Sequence, residues 1–447
     1  MAVSPSNADA LELITGDRAG AIVASIEAAI ERDQLAAGAS LPTVRRLAGH
    51  LRVSPTTVAA AYRDLQARGL LISSGRRGTR VAARLPMSHR APDLVPPDAR
   101  DLAHGNPDPG LLPDLGPALA RLRPQQHLYG EPAHNPALLE LGAAELRLEG
   151  VPVDHLVAVG GALDGIERAL VARLRPGDRV AVEDPGYPAI HDLLLAVGLV
   201  PEPVPVDDRG YIPEALEGAL RRPLAALVIT PRAQNPTGAA LDEARAGELR
   251  ELLSRRGDVL VIEDDHAGPV SGSRLATVSS APLERWAFVR SVSKSLGPDL
   301  RLALLAGDPI TVSRVQGRQQ LGTGWVSHLL QDLVVELWRD EAVGHLLERA
   351  AAAYAERRQA LVRAFAEHDL AAWGLSGFNV WLPIADEHAA VRRLLEAGWA
   401  VAAGERFRHR SRPGIRISIG SLLPDEAPRL AEALALSTEH STRTRSA

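Results

Sequence analysis

The sequence predicts two folds in one chain: a small α+β module of helices closed by a hairpin, then a larger α/β domain on a mainly parallel sheet. Three observations carry this. Helical periodicity with closely spaced stop signals fills roughly the first 70 residues, strands alternate with helices from 136 to 310, and the only lysine falls at the end of one of those strands. The 447 residues, 46% hydrophobic and 23% charged, suffice for two or three folded domains. The 38 Gly and 33 Pro follow no period, no apolar run approaches the roughly 20 residues of a membrane span, and there is no cysteine for a disulfide or thiolate metal site. Asp9, Glu12 and Asp17 precede the first apolar helix where a signal peptide would be basic and then apolar, so a cytoplasmic location is expected, with no membrane partner and no metal.

Ile22, Ile26 and Ile30 recur at i, i+4, i+8, which predicts an amphipathic helix over 19–36. Pro42 opens a second helix in LPTVRRLAGHLRV, with Val44, Leu47, Ala48 and Leu51 on one face and Arg45, Arg46 and Arg52 off it. Ser54 as N-cap and Pro55 at the first helical position start a third, SPTTVAAAYRDLQARG, which Gly69 ends. LLISSGRRGTRVAA then reads as a hairpin with Arg76, Arg77 and Arg80 near its tip. The start of the third helix offers Ser54, Thr56 and Thr57 hydroxyls and free backbone N–H groups to phosphates or base edges in a major groove, the hairpin arginines would hold the DNA backbone, and Arg45 and Arg46 are further candidate DNA contacts. A helical interaction module with a solvated basic hairpin is the other reading of these residues. LPTVRRLA, VSPTTVAAAYRDLQARGLL and GRRGTRVA together resemble the winged helix-turn-helix of the GntR superfamily over 15–83, which implies a double-stranded DNA operator as partner. Residues 84–101, with four prolines and no apolar period, read as a linker reaching at most roughly 60 Å.

The second region holds HLVAVG (155–160), DRVAVED (178–184), ALVIT (226–230), DVLVIEDD (258–265), WAFVRSVSK (286–294) and RLALLAG (301–307). Strands separated by helices imply a largely parallel sheet with ligands at the strand ends. Gly160-Gly161-Ala162 follows one strand and opens a helix, presenting N–H groups suited to a phosphate, though such a turn is also a common connection. Asn235 stands in an Asn-Pro-Thr-Gly turn, Asp264 lies among carboxylates ending a buried strand, and Ser291, Ser293, Lys294 and Arg301 follow the next strand. Against Lys294 stand 49 arginines. Arginine replaces lysine in ion pairs but its guanidinium supplies no free amine, so a chain that writes arginine elsewhere keeps lysine where amine chemistry is needed.

An amine, a carboxylate able to pair with a pyridinium nitrogen and a phosphate cup describe a site for pyridoxal 5′-phosphate, PLP, with the lysine as Schiff-base partner. YGEPAHNPALLELGAAEL, EDPGYP, QNPTG, EDDHAG, SVSKSLGPDLRLA and GIRISIG resemble, in order, the motifs of fold-type I, class I/II aminotransferases over 102–436. The resemblance implies the PLP-dependent transferase fold with a smaller C-terminal α+β subdomain. It also implies that Lys294 holds the cofactor, Asp264 pairs with its ring nitrogen, Asn235 bonds its phenolic oxygen and Tyr187 stacks on its ring. Gly161, Ala162, Ser291 and Arg301 would bind phosphate, and Arg416 the carboxylate of an amino acid. The fusion is similar to the MocR-type regulators of the GntR superfamily, in which an aminotransferase-like domain senses an amino compound or PLP for an attached DNA reader, commonly as a homodimer. Where those regulators usually carry tyrosine, this chain has His266, expected either to donate to the cofactor and titrate near neutral pH or to pack beside Asp265 without touching it. A working aminotransferase carrying a DNA-binding module remains the alternative.

Overall fold

The computed structural model describes residues 9–32, 34–36, 38–67, 70–73, 78–81, 95–279 and 283–435. Two compact units divide the chain, the first made of residues 1–92 with the short stretches 175–179 and 191–201, the second of the remainder.

The first unit contains helices α1 (Asp9–Leu13), α2 (Ala19–Glu31), α3 (Val44–Leu51) and α4 (Pro55–Ala67), then the antiparallel pair β1 (Leu71–Ser73) and β2 (Thr79–Val81). The predicted isoleucine stripe is buried, joined by Leu47, Val58, Leu65 and Val81 in one core. The sequence reading needs three corrections. The helix expected over 19–36 ends at Glu31. Helix α1 was not anticipated, because five residues are too short to declare a period, yet Ala10 and Ile14 are buried in the same core, so this unit begins before residue 15. Pro42 lies outside α3, whose N-cap is Thr43, with Oγ1 accepting the Arg46 N–H at 3.3 Å, and the Pro42 carbonyl accepts the buried Tyr62 hydroxyl at 2.8 Å. Ser54 caps α4 as expected, its Oγ accepting the Thr57 N–H at 3.1 Å. Arg52 turns the chain between the two helices at φ 58°.

In the second unit β3 (Arg100–Asp101) pairs in parallel with β13 (Trp399–Ala400), so the last two residues of the 84–101 segment are already strand. The main sheet is built from β4 (Leu156–Val159), β5 (Arg179–Asp184), β6 (Val200–Asp207), β7 (Gly210–Tyr211), β8 (Ala226–Ile229), β9 (Leu260–Asp265), β10 (Trp286–Ser291) and β11 (Ala303–Gly307) in the order β4-β11-β10-β9-β8-β5-β6-β7. Strands β5, β8, β9 and β10 run parallel, whereas β11 is antiparallel to both β10 and β4. Full burial explains their near-continuous Val, Ile and Leu. The expected smaller subdomain is an antiparallel sheet of β12 (Asn379–Pro383), β15 (Gly414–Ser418) and β14 (Ala402–Ala403), its core holding Val380, Ile415 and Ile417. The parallel register brings the ends of β5, β8, β9 and β10 to one edge, which positions the site.

Replacing Ser54 with Ala leaves the Thr57 N–H without its cap and should destabilise the first unit by about 1 kcal/mol. Faster hydrogen exchange along α4, with the main sheet unchanged, is the expected readout.

Candidate ligand site and DNA-reading face

Alternation along β9 separates three consecutive buried acids. Glu263 faces a loop and accepts from the Thr277 hydroxyl and the Val278 and Ser279 N–H groups. Asp265, on the same side, takes Arg232 at 2.9 and 3.0 Å and also Arg290, and both arginines continue to Glu149. Burial alone would raise the Asp265 carboxyl, but the Arg290 and Arg232 guanidinium groups hold it well below the usual range. Asp264 points the other way. Its Oδ1 is buried with no hydrogen-bond partner, and burial, then the charges of Asp265 and Glu183, push its carboxyl up to about 7.

Asp264 lines a cavity of about 340 Å³ with Tyr187, Asn235, His266, Ser291, Lys294, Arg301 and Arg416. The Lys294 amine donates to the Gly105 carbonyl and lies 5.8 Å from the Phe378 ring centre. Burial and nearby Arg416 lower it to about 8, so roughly a tenth is free base at pH 7, where an ordinary lysine has less than about a thousandth. Arg416, on β15, donates to Asn235 Oδ1 at 3.1 Å and to the Ala103 carbonyl, and its guanidinium carbon lies 4.7 Å from the Phe407 ring centre. Burial and the charge of Arg406 lower it to about 10. Tyr187 is 40% exposed at the cavity wall.

A further helix, α5 (Ala162–Arg173), begins after Gly161, at φ 101°. A Cβ on Gly161 would lie 2.8 Å from Arg301 Nη2, so glycine is needed for the backbone conformation and for the guanidinium's approach. Ala162, Ser291 and Arg301 all line the cavity; Gly161 is not among the lining residues but lies against the Arg301 guanidinium. Ser293 donates its N–H to Ser291 Oγ at 3.2 Å, fixing the turn that leads to Lys294.

His266 departs from expectation. Its Nε2 donates to the Ala233 carbonyl at 2.9 Å, and burial, then the charge of Lys294, lower it to about 4. The ring is therefore neutral across the physiological range, its single N–H is spent on backbone, and the expected titration near neutral pH is corrected. It does line the cavity, so it is not packed out of reach beside Asp265.

One contributor carried no role in the sequence reading. Glu183, fully buried in EDPGYP, accepts the Thr230 N–H at 2.8 Å, the Thr230 hydroxyl at 3.0 Å and Gln234 Nε2 at 2.9 Å. Gln234 also donates to the Pro185 carbonyl, so this network ties the Tyr187 loop to the Asn235 turn. The signal was present in a carboxylate and an amide flanking two quoted motifs.

On the first unit, Arg45, Arg46, Ser54 and Thr56 are exposed and Thr57 is half-buried. The Ser54 hydroxyl sits 2.6 Å from Thr56 Oγ1 and 2.8 Å from Thr57 Oγ1, so the three form one polar cluster at the start of α4. Arg76 and Arg77 lie outside the described residues. Arg80 is not at the hairpin tip: it stands within β2 opposite Ile72, and its guanidinium leans on the Gly38 carbonyl at 3.4 Å.

Fold and site define a class I and II aminotransferase domain over residues 97–434, joined to a bacterial regulatory domain of the gntR family over 18–81. Kynurenine aminotransferase of Pyrococcus horikoshii shares the fold of the larger part, with a TM-score of 0.70 at 22% identity, covering 77% of this chain and 91% of that one. The vitamin B6 salvage pathway transcriptional repressor PtsJ of Salmonella typhimurium is 42% identical over 94% of this chain and 98% of its own length. The pyridoxine biosynthesis regulator PdxR of Corynebacterium glutamicum is 30% identical over 53% of each chain. The protein belongs to the MocR-type transcriptional regulators, DNA-binding proteins in which a GntR winged helix-turn-helix is fused to an aminotransferase-like domain. No helix among the described residues is long and apolar enough to cross a membrane.

Because folding raises the Asp264 carboxyl to about 7, the native state binds more protons than the unfolded chain between about pH 4 and 7, and this group subtracts stability as pH rises through that window. Ligand-free Asp264→Asn should therefore melt above wild type at pH 8, and the gap should close on acidification towards pH 4. Thermal unfolding across pH checks the sign.

Proposed function

We propose that the cavity binds PLP and that its occupancy changes operator binding, making the protein a repressor that reads vitamin B6 status; its relative PtsJ is named as a transcriptional repressor of the vitamin B6 salvage pathway. The observation that carries this is Asp264 Oδ1, a buried carboxylate oxygen facing the cavity with no partner. Such a group is costly unless something binds it, and a protonated ring nitrogen fits. PLP, when bound, supplies that nitrogen, an aldehyde for an amine and a phosphate dianion. Lys294 offers the amine, held partly deprotonated by burial. Asp264 offers the anion, Asn235 a side-chain amide, and Tyr187 a ring at the wall. Ser291, Arg301 and the N–H groups at the start of α5, around Gly161 and Ala162, are suited to the phosphate. Arg416 is suited to the carboxylate of an amino-acid-like effector. His266 has no N–H to give and serves as an acceptor or as wall.

DNA reading is assigned to Thr56 and Thr57 at the base edges, with Ser54 holding the cap between them and Arg45, Arg46, Arg76 and Arg77 at phosphates. Arg80 is assigned to the hairpin's own structure. A homodimer suits a two-part operator, with half-sites roughly 34 Å apart or a multiple of it. Leu128, Tyr129, Leu321 and Leu329, all more than half exposed, supply apolar surface for it.

The decisive experiment is a footprint upstream of the protein's own gene and its divergent neighbour, with and without PLP. Protection indifferent to PLP would sink the sensor reading. Transamination is a second reading, favoured by Lys294, Asn235 and Arg416 in one cavity; catalytic release of ketoacid from single amino acids with a ketoacid acceptor would establish it.

Borohydride with PLP should fix the cofactor on the peptide containing Ser293-Lys294-Ser295. Lys294→Arg should give no adduct despite its retained charge, because a guanidinium does not supply the amine. Mass spectrometry of the digested protein reads both results.

A further inference from the structure

Two of the three cations lining the cavity, Lys294 and Arg416 but not Arg301, are engaged by one short backbone loop. Lys294 donates to the Gly105 carbonyl and Arg416 to the Ala103 carbonyl, so residues two apart occupy the amine and the guanidinium together. Neither cation has a carboxylate among its described hydrogen-bond partners, and buried cations need acceptors. The loop carbonyls stand where a ligand's own polar groups would otherwise be required.

Asp101 sets the loop's shape. Its Oδ1 accepts the N–H groups of Ala103 and His104, each at 3.0 Å, and its Oδ2 meets His104 Nδ1 at 2.8 Å. This is the local turn in which an aspartate caps the backbone just after it. On either side the chain is fixed without reference to the cavity. The Arg100 and Leu102 N–H groups bond the Gly398 and Ala400 carbonyls, each at 2.8 Å, and the Asp108 N–H bonds the Tyr354 hydroxyl at 2.9 Å. Between those anchors, the described hydrogen bonds that draw residues 103–107 inward go to Lys294 and Arg416.

We propose that this loop is a built-in occupant of the ligand site, that a bound ligand displaces it from Lys294 and Arg416, and that Asp101 is the positioning residue presenting its carbonyls. The inference rests on the PLP reading of the cavity. A ligand that engages the lysine amine takes the donor from Gly105, and a ligand carboxylate at Arg416 takes the donor from Ala103. The freed loop begins directly after Arg100–Asp101, the first strand-paired residues among those described after β2. Occupancy is thereby delivered to the chain at its entry into the larger domain.

Hydrogen–deuterium exchange on the full-length, PLP-free protein tests the tether. Lys294→Ala and Asp101→Ala should each raise exchange at residues 103–106 about fivefold, the equivalent of one net hydrogen bond. Asp101→Asn keeps an oxygen for the two N–H groups and should stay near wild type, and comparison with it separates loop release from a folding defect. Saturating PLP should raise exchange at the same residues in wild type. Asp101→Ala should also bind PLP about fivefold tighter, opposite in sign to damage at the site, since the loop no longer competes. Equal exchange in wild type, Lys294→Ala and Asp101→Ala overturns the inference, as does PLP saturation that leaves residues 103–106 unchanged. Absence of PLP absorbance on the wild-type protein is a separate result that takes down the cofactor reading and this inference with it.

Discussion

Everything at the ligand site depends on how one strand end distributes charge. Three adjacent acids close β9, and the pleat sends Glu263 and Asp265 to one side and Asp264 to the other. Two arginines compensate Asp265 and a hydroxyl with two amides satisfies Glu263, while Asp264 is left against a cavity. An arginine paired with Asp264 itself would have turned the site into a closed ion pair of the kind that merely fills a core. Sequestering Arg232 and Arg290 behind the sheet keeps one buried carboxylate available, and Glu183 close by adds to its discomfort rather than relieving it.

That side-specific pairing explains what the sequence disclosed and what it withheld. The fold was legible because fully buried parallel strands write themselves as runs of Val, Ile and Leu, and because Ser54 and Pro55 punctuate the first unit. The site was legible through side chains whose chemistry has no substitute: Lys294, Asp264 and Asn235 converge as their motifs imply. What depends on backbone was invisible. The carbonyls of Ala103 and Gly105 belong to residues with nothing to announce, and helix α1 is too short to show a period.

His266 and Arg80 illustrate the same limit from the side-chain end. Each was read by residue type, and each is redirected by a backbone carbonyl. Ala233 adopts φ 57°, uncommon for a residue with a Cβ, and its carbonyl takes the one N–H of the imidazole. Gly38 does similarly with the Arg80 guanidinium. A residue type sets what chemistry is available, and the neighbouring main chain decides whether it has already been spent.

The solitary lysine has a consequence for signal quality. Aldehydes and other electrophiles in a cell condense with any accessible protein amine, and on an ordinary surface rich in lysine those reactions form a background unrelated to the specific site. Here the remaining basic side chains are 49 arginines and 14 histidines, none of which offers an aliphatic amine, and Lys294 is largely buried at the cavity wall. Apart from the α-amino group, carbonyl chemistry has one address on this chain. Adventitious modification of surface amines is thereby almost eliminated, and so is lysine acetylation as a means of altering the rest of the surface.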